Sequence, residues 1–269
     1  MFEMLTYSFM QRAVVGGLLV SLCAALLGVC LVLKRYSMIG DGLSHVGFGA
    51  LAIATATNMA PLPVSIPIVI IAAFFLLRIS ENSSIRGDAA IAVLSSGSLS
   101  LGVLIVSVTK GMNTDLNNFL FGSILAMDKG DVILSCILSV IVIFLFIFFY
   151  HRIFAVTFDE NFARACRLKA SLYNGIIASL TAVTVVLGMK MMGALLISSL
   201  IIFPALSAMR MCRTFYKVVI LSAVLSCLCF ITGLTLAFYF DLPTGATVVC
   251  VNIVMLLIST LIGKILKYN

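Results

Sequence analysis

Apolar residues run along this chain in blocks long enough to cross a membrane, at about 12–33, 38–57, 62–77, 89–109, 132–150, 172–189, 192–209, 218–240 and 244–263. Charged or turn-rich stretches separate them: Lys34-Arg35, Asn58 to Pro63, Arg78 to Asp88, Lys110 to Asp131, His151 to Lys169, Lys190 to Gly193, Arg210 to Lys217 and Asp241 to Gly245. The pattern predicts an all-α, polytopic transmembrane bundle of roughly eight or nine spanning helices. Two places leave the count open. Residues 172–209 have almost no separator at Lys190, and the 62–77 block is short and carries Pro63 and Pro67. Nine full spans satisfy the pattern, and so do eight with one segment re-entrant or broken.

Small residues recur inside the blocks, at Gly16-Gly17, Ala24-Ala25, Ser95 to Ser100, Gly193-Ala194 and Ser198-Ser199. Such residues let membrane helices approach closely, so a packed bundle is expected. No soluble domain and no low-complexity stretch interrupts it, and residues 1–269 read as a single integral-membrane domain. Pro204 sits within an apolar block, where it frees a backbone carbonyl; a simple kink and a water-lined break are both open.

Composition agrees with that picture. Hydrophobic residues make up 62% of the chain and charged residues 10%, with a mean hydropathy of +1.24. The net charge of +7 would suggest nucleic acid in a soluble protein. Here the basic residues sit at block ends, so the positive-inside rule explains them and no nucleic-acid partner is expected. Arg152, Arg164, Arg167 and Lys169 share one connection, Arg210, Arg213 and Lys217 another, and Lys264 and Lys267 close the chain. Alternating spans put these three on the cytoplasmic side, with Lys34-Arg35 and Arg78/Arg86, and leave Lys110 to Asp131 outside. The N-terminal stretch carries Glu3 and lacks a cationic region, so no cleaved signal peptide is expected. The eight cysteines form no CxxC pair and are expected to be free and buried.

One stretch carries chemistry. Lys34-Arg35-Tyr36-Ser37-Met38-Ile39-Gly40-Asp41-Gly42-Leu43-Ser44-His45 places a carboxylate and an imidazole one helical turn apart on one face. Oxygen plus nitrogen ligation suits zinc or manganese, and ionisable groups in a membrane mark a transport path or a buried partner. Ser37 and Ser44 fall on or near that face. The alternative is a structural ion pair at a helix start. Two ligands are few for tight binding, as befits a site an ion passes through.

A second stretch, Phe158-Asp159-Glu160-Asn161-Phe162-Ala163-Arg164-Ala165-Cys166-Arg167-Leu168, reads as a short amphipathic helix at the cytoplasmic surface. It serves either as a membrane-lying connector or as a docking helix for a cytoplasmic partner. The cluster Met189/Met191/Met192 is read as core filler rather than a copper site. His151, between Tyr150 and Arg152, is read as interfacial. No GxxxxGK[ST], HExxH or GxSxG occurs, so ATP hydrolysis by a phosphate loop is excluded for this chain. No cofactor and no enzymatic activity are expected.

Several blocks in order resemble one family, the permease subunits of bacterial zinc/manganese ABC uptake transporters (ABC-3). They are Ser37-Met38-Ile39-Gly40-Asp41-Gly42-Leu43-Ser44-His45, then Asp88 to Ile91 with Leu99 to Gly102, then Asp115-Leu116 with Phe119 to Ala126. Lys190 to Pro204 and Asp241 to Gly245 complete the series, so the resemblance covers nearly the whole chain. It implies a homodimer of helical permeases in the bacterial cell membrane, driven by cytoplasmic ABC ATPase subunits. A metal-binding protein on the extracytoplasmic side would supply the ion. It also implies that Asp41 and His45 contact the metal. The 158–168 stretch then resembles the coupling helix, with Phe158, Asp159, Glu160, Phe162 and Ala163 facing the ATPase. The chain departs from the common pattern near Arg167, where the family has a glycine. The block from Met189 to Leu200 looks closer to the zinc-uptake permeases, so zinc is the expected cargo, with manganese or iron as alternatives. An ion-coupled secondary carrier is the runner-up; it would need more acidic residues inside the spans than this chain has.

Overall fold

The computed structural model describes residues 7–82, 87–109 and 129–267. Among the described residues all regular structure is helical: α1 (Ser8–Leu33), α2 (Ser37–Ala56), α3 (Pro61–Asn82), α4 (Gly87–Val108), α5 (Lys129–Phe148), α6 (Tyr150–Phe158), α7 (Glu160–Ala165), α8 (Ala170–Met192), α9 (Ala194–Met211), α10 (Phe215–Phe240) and α11 (Thr244–Lys267). Seven helices, α1, α3, α4 and α8 to α11, are long and apolar enough to span a membrane. α5 joins them as an eighth when taken with α6, from which it is bent by 69°. The helix outside that set is α2, whose apolar run is diluted by Asp41, His45 and four glycines. The expected external blocks from Asp115 to Ala126 lie outside the described residues.

Each apolar block becomes one long helix. The near-absent separator at Lys190 resolves into a break of a single residue: Gly193, with φ 89° and ψ 159°, stands between α8 and α9. Only glycine adopts that backbone readily, so the two spans are joined with no loop at all. α9 runs through Pro204 as one helix. The proline-containing α3 does so through Pro67.

α1 is the centre of the bundle. It packs on α5, α8, α9 and α10, and Val20, Ala24, Leu27 and Cys30 are fully buried. A helix that is apolar on all sides is a core helix, and α1 fits that rule. Its crossing with α9 is made possible by Gly28: a Cβ there would fall 1.9 Å from the Ile201 carbonyl oxygen. Serines tie α1 to α10, with Ser226 Oγ donating to the Ser21 carbonyl at 3.0 Å and Ser222 Oγ to that of Ala25 at 3.4 Å. α2 lies to one side, packed on α3, α4, α8 and α9, and α4 packs outside it. All eight cysteines are free; Cys23, Cys30 and Cys229 are buried as expected, Cys136, Cys212 and Cys227 are half-buried, and Cys166 and Cys250 are exposed, one beyond the C-terminus of α7 and the other on the outer face of α11.

Helices α1, α2 and α7 end in the same device. Their C-terminal turns close with 6→1 bonds (Tyr36 N to Leu31 O, Met59 N to Ala54 O, Leu168 N to Ala163 O) around a left-handed residue, respectively Arg35, Asn58 and Arg167. Glycine is the usual occupant of that place, and in α7 it is filled by Arg167. Because a left-handed conformation costs a side-chain-bearing residue about 1–2 kcal/mol, Arg167→Gly is expected to raise stability by up to about 1 kcal/mol after glycine's own entropic penalty. Thermal unfolding of the detergent-solubilised protein checks this, and a clear drop in midpoint would contradict it.

Candidate functional site

Asp41 and His45 stand one turn apart on α2, as the spacing predicts. His45 Nε2 is 3.7 Å from Asp41 Oδ2, and the two side chains are 26% and 42% exposed. That separation is too long for a hydrogen bond. It suits two ligands of one small cation: donors about 2.1 Å from a common tetrahedral centre lie roughly 3.4 Å apart. His45 Nδ1 is buried without a hydrogen-bond partner. The same distance also fits an ion pair between Asp41 and a charged imidazole, so the geometry admits both readings.

The fold adds a residue that spacing did not single out. Ser198, one turn into α9, donates from Oγ to Asp41 Oδ1 at 3.0 Å while also lying 3.2 Å from the Ala194 carbonyl oxygen. Its neighbour Ile201 packs against Gly40, where a Cβ would be 3.1 Å from Ile201 Cδ1. Glycine at 40 thus lets α2 and α9 approach closely enough for Ser198 to hold the carboxylate. Ser44, by contrast, turns onto its own helix and donates to the Asp41 carbonyl at 2.7 Å. A serine on a different span carries no sequence signal linking it to Asp41. Among the described residues no group of three or more His, Cys, Asp or Glu side chains converges. At this point the described residues supply one carboxylate and one imidazole.

The second stretch differs from its predicted form. Instead of one helix over 158–168, α6 ends at Phe158 and α7 starts at Glu160. Between them Asp159 is extended (φ −147°, ψ 100°) and caps α7, its carboxylate accepting from Phe162 N at 2.9 Å. His151, expected in a loop, lies in α6 and is exposed, its ring edge-on to Tyr150. Of the five candidate coupling residues, Phe158 and Phe162 face outward, 67% and 64% exposed. Ala163 is fully buried in a small satellite core with Val156, Ala170 and Tyr173. Glu160 turns inward: Oε1 pairs with Arg164 Nη2 at 2.5 Å, and Oε2 accepts from Asn174 Nδ2 at 3.1 Å with Lys34 Nζ 3.6 Å away. Burial pushes the Glu160 carboxyl up, but the hydrogen bonds from Asn174 and Arg164 and the charges of Lys34 and Arg164 outweigh it and hold it below the usual carboxylate range. A depressed carboxyl contributes stability above its unfolded pKa and loses it only as pH falls through the folded value. This network is therefore intact at neutral pH. Arg152 ties α6 to α8, donating to Tyr173 Oη at 2.6 Å.

The features together, a multi-pass helical membrane protein with a carboxylate–imidazole pair on one of its helices and a short helix at the end of the bundle, fit a transport permease. The chain belongs to the ABC 3 transport family, whose model matches residues 6–263. It is 31% identical over 253 residues to the high-affinity zinc uptake system membrane protein ZnuB of Haemophilus influenzae, covering 94% of this chain and 97% of that protein. It is 26% identical over 262 residues to the manganese import system permease protein ScaB of Streptococcus gordonii, with 97% and 94% covered. Among solved structures it is similar to PsaBC from Streptococcus pneumoniae in complex with Fab, with a TM-score of 0.85, 27% identity and 94% and 91% of the two chains covered.

Proposed function

We propose that this chain is the permease subunit of an ABC importer that carries zinc across the cell membrane. The observation that carries the reading is the convergence of His45 and the Asp41 carboxylate, which Ser198 holds, on a partly exposed helix face. Carboxylate plus imidazole suits zinc and manganese alike; the likeness of 31% to a zinc permease supports zinc. The 26% likeness to a manganese permease makes manganese the second reading. Two donors are fewer than the four zinc usually takes. Among the described residues the α2 face bearing Met38, Asp41 and His45 is only partly covered, and a carboxylate turned to lipid would be costly. A second copy of the chain, set against that face, would cover it and double the ligand set, so the transporter is proposed to be a homodimer with the ion passing between its two α2 helices. ATP hydrolysis belongs to separate cytoplasmic subunits docked on Phe158 and Phe162, and an extracytoplasmic zinc-binding protein delivers the ion.

The test is uptake by the permease reconstituted with its ATPase and binding protein. ATP-dependent zinc uptake that excess manganese fails to compete away is the expected result. ATP-dependent manganese uptake in its place corrects the cargo and keeps the architecture. Uptake that ignores ATP and follows an ion gradient overturns the ABC reading.

A further inference from the structure

The basic pair at the end of α1 was read from sequence as a topological signal, yet Lys34 is not displayed to water. Its side chain is only 8% exposed, and its ammonium group donates to Asn174 Oδ1 while lying 3.6 Å from Glu160 Oε2. Asn174, itself 2% exposed, closes the triangle by donating to the same Glu160 oxygen at 3.1 Å. Three groups from three elements meet: the α1–α2 turn, the first residue of α7, and the first turns of α8. The satellite core under Ala163 holds α7 to α6 and α8, but it does not reach α2. The Lys34 contact is a direct tie between α7 and the turn from which α2 starts.

That turn is only three residues long, Lys34-Arg35-Tyr36, closed by the 6→1 bond and the left-handed Arg35. Asp41 follows Lys34 by seven residues, on the order of 10 Å along the chain at helical rise. Beside Lys34 and Asn174 lies a cavity of about 10 Å³, no larger than one water, lined also by Tyr36, Ile39, Ala73 and Thr181. A buried ion pair is weak evidence of a stability role, since apolar groups of similar volume often serve as well. Its geometry links a surface helix to the root of α2.

We propose that Lys34 and Asn174 are positioning residues that carry displacement of α7 to α2, so that movement of the ATPase-docking surface reorients Asp41 and His45. This rests on the reading of Phe158 and Phe162 as that surface. Lys34 and Asn174 touch neither the metal nor the ATPase.

The experiment uses the complete transporter in proteoliposomes with zinc as the probe, and reads three quantities: ATPase retained on purification, ATP hydrolysed, and zinc moved per ATP. Lys34→Met is expected to keep wild-type ATPase content and hydrolysis while zinc moved per ATP falls about tenfold or more. Lys34→Arg, which retains charge and donors, is expected to stay within about twofold of wild type. Should Lys34→Met fail to fold, Asn174→Ala, which leaves the Lys34–Glu160 pair in place, is expected to lower zinc per ATP several-fold. Wild-type zinc per ATP in the folded variants overturns the proposal. So does loss of ATPase content in Lys34→Met equal to the loss of coupling, which would make the triangle part of the docking surface itself. Phe162→Asp separates the underlying reading: if it keeps its full ATPase complement, the docking assignment falls, whatever Lys34→Met does.

Discussion

Asp41→Ala and His45→Ala are each expected to abolish metal uptake while the protein folds, inserts and retains its ATPase. Both side chains are partly exposed on α2, so truncation leaves no large cavity and costs little stability. What each variant removes is one of the two donors the chain offers. Losing even an outer-shell partner of a metal ligand typically costs 10–100-fold in metal affinity or activity, and loss of a ligand itself is expected to cost on the order of 100-fold or more in zinc uptake. Asp41→Asn refines the point. It can still accept the hydrogen bond from Ser198 but lacks the negative charge, so it should transport as poorly as Asp41→Ala. Radiolabelled zinc uptake in proteoliposomes decides the matter. Near-normal uptake by either alanine variant removes the site assignment and leaves the pair as a structural feature of α2.

Gly28→Val is expected to prevent formation of the bundle. The Cβ of any larger residue at 28 would stand 1.9 Å from the Ile201 carbonyl oxygen, and the obstructing atom is backbone rather than the end of a flexible side chain. Relief requires α1 and α9 to separate along their crossing, in the most buried part of the molecule. Overpacking a core typically costs about 1–3 kcal/mol, and this case should exceed that range. The separation would also pull α9, and with it Ser198, away from α2. Gly97→Ala is the matched control: nothing lies within 4 Å of a Cβ at that position, and the substitution should leave folding unchanged or slightly improved, as alanine favours helix. Yield of monodisperse protein and its thermal midpoint in detergent measure both. A Gly28→Val protein as stable as wild type would mean that the α1–α9 crossing is looser than described.

Helix identity followed from hydropathy because membrane helices announce themselves by unbroken apolar length. The positions of α1, α2 and α8 to α11 match their apolar blocks closely. α2 was legible as a segment and as the helix that pairs a carboxylate with an imidazole, since i,i+4 spacing brings Asp41 and His45 together on any helix. The connection from His151 to Lys169 was less legible. Its amphipathic character was visible, but the split into α6 and α7 depends on Asp159 capping Phe162 N, and its orientation depends on which face finds buried partners. Spacing could not tell that Phe158 and Phe162 point out while Glu160 points in.

Local pattern in the sequence determined the helical class, the segment boundaries to within a few residues, the pairing of Asp41 with His45 and the family resemblance, because each is written in neighbouring residues. Tertiary structure alone decided that Ser198 holds Asp41, 157 residues away in the chain, and that Lys34 reaches Glu160 and Asn174 rather than water. It likewise decided that Gly28 is a contact point and Gly97 is not. These are relations between spans, and in a membrane nearly every outward residue is apolar whether it meets lipid or another helix. Hydropathy therefore marks where a helix runs and carries almost no information about which of its faces touches which neighbour.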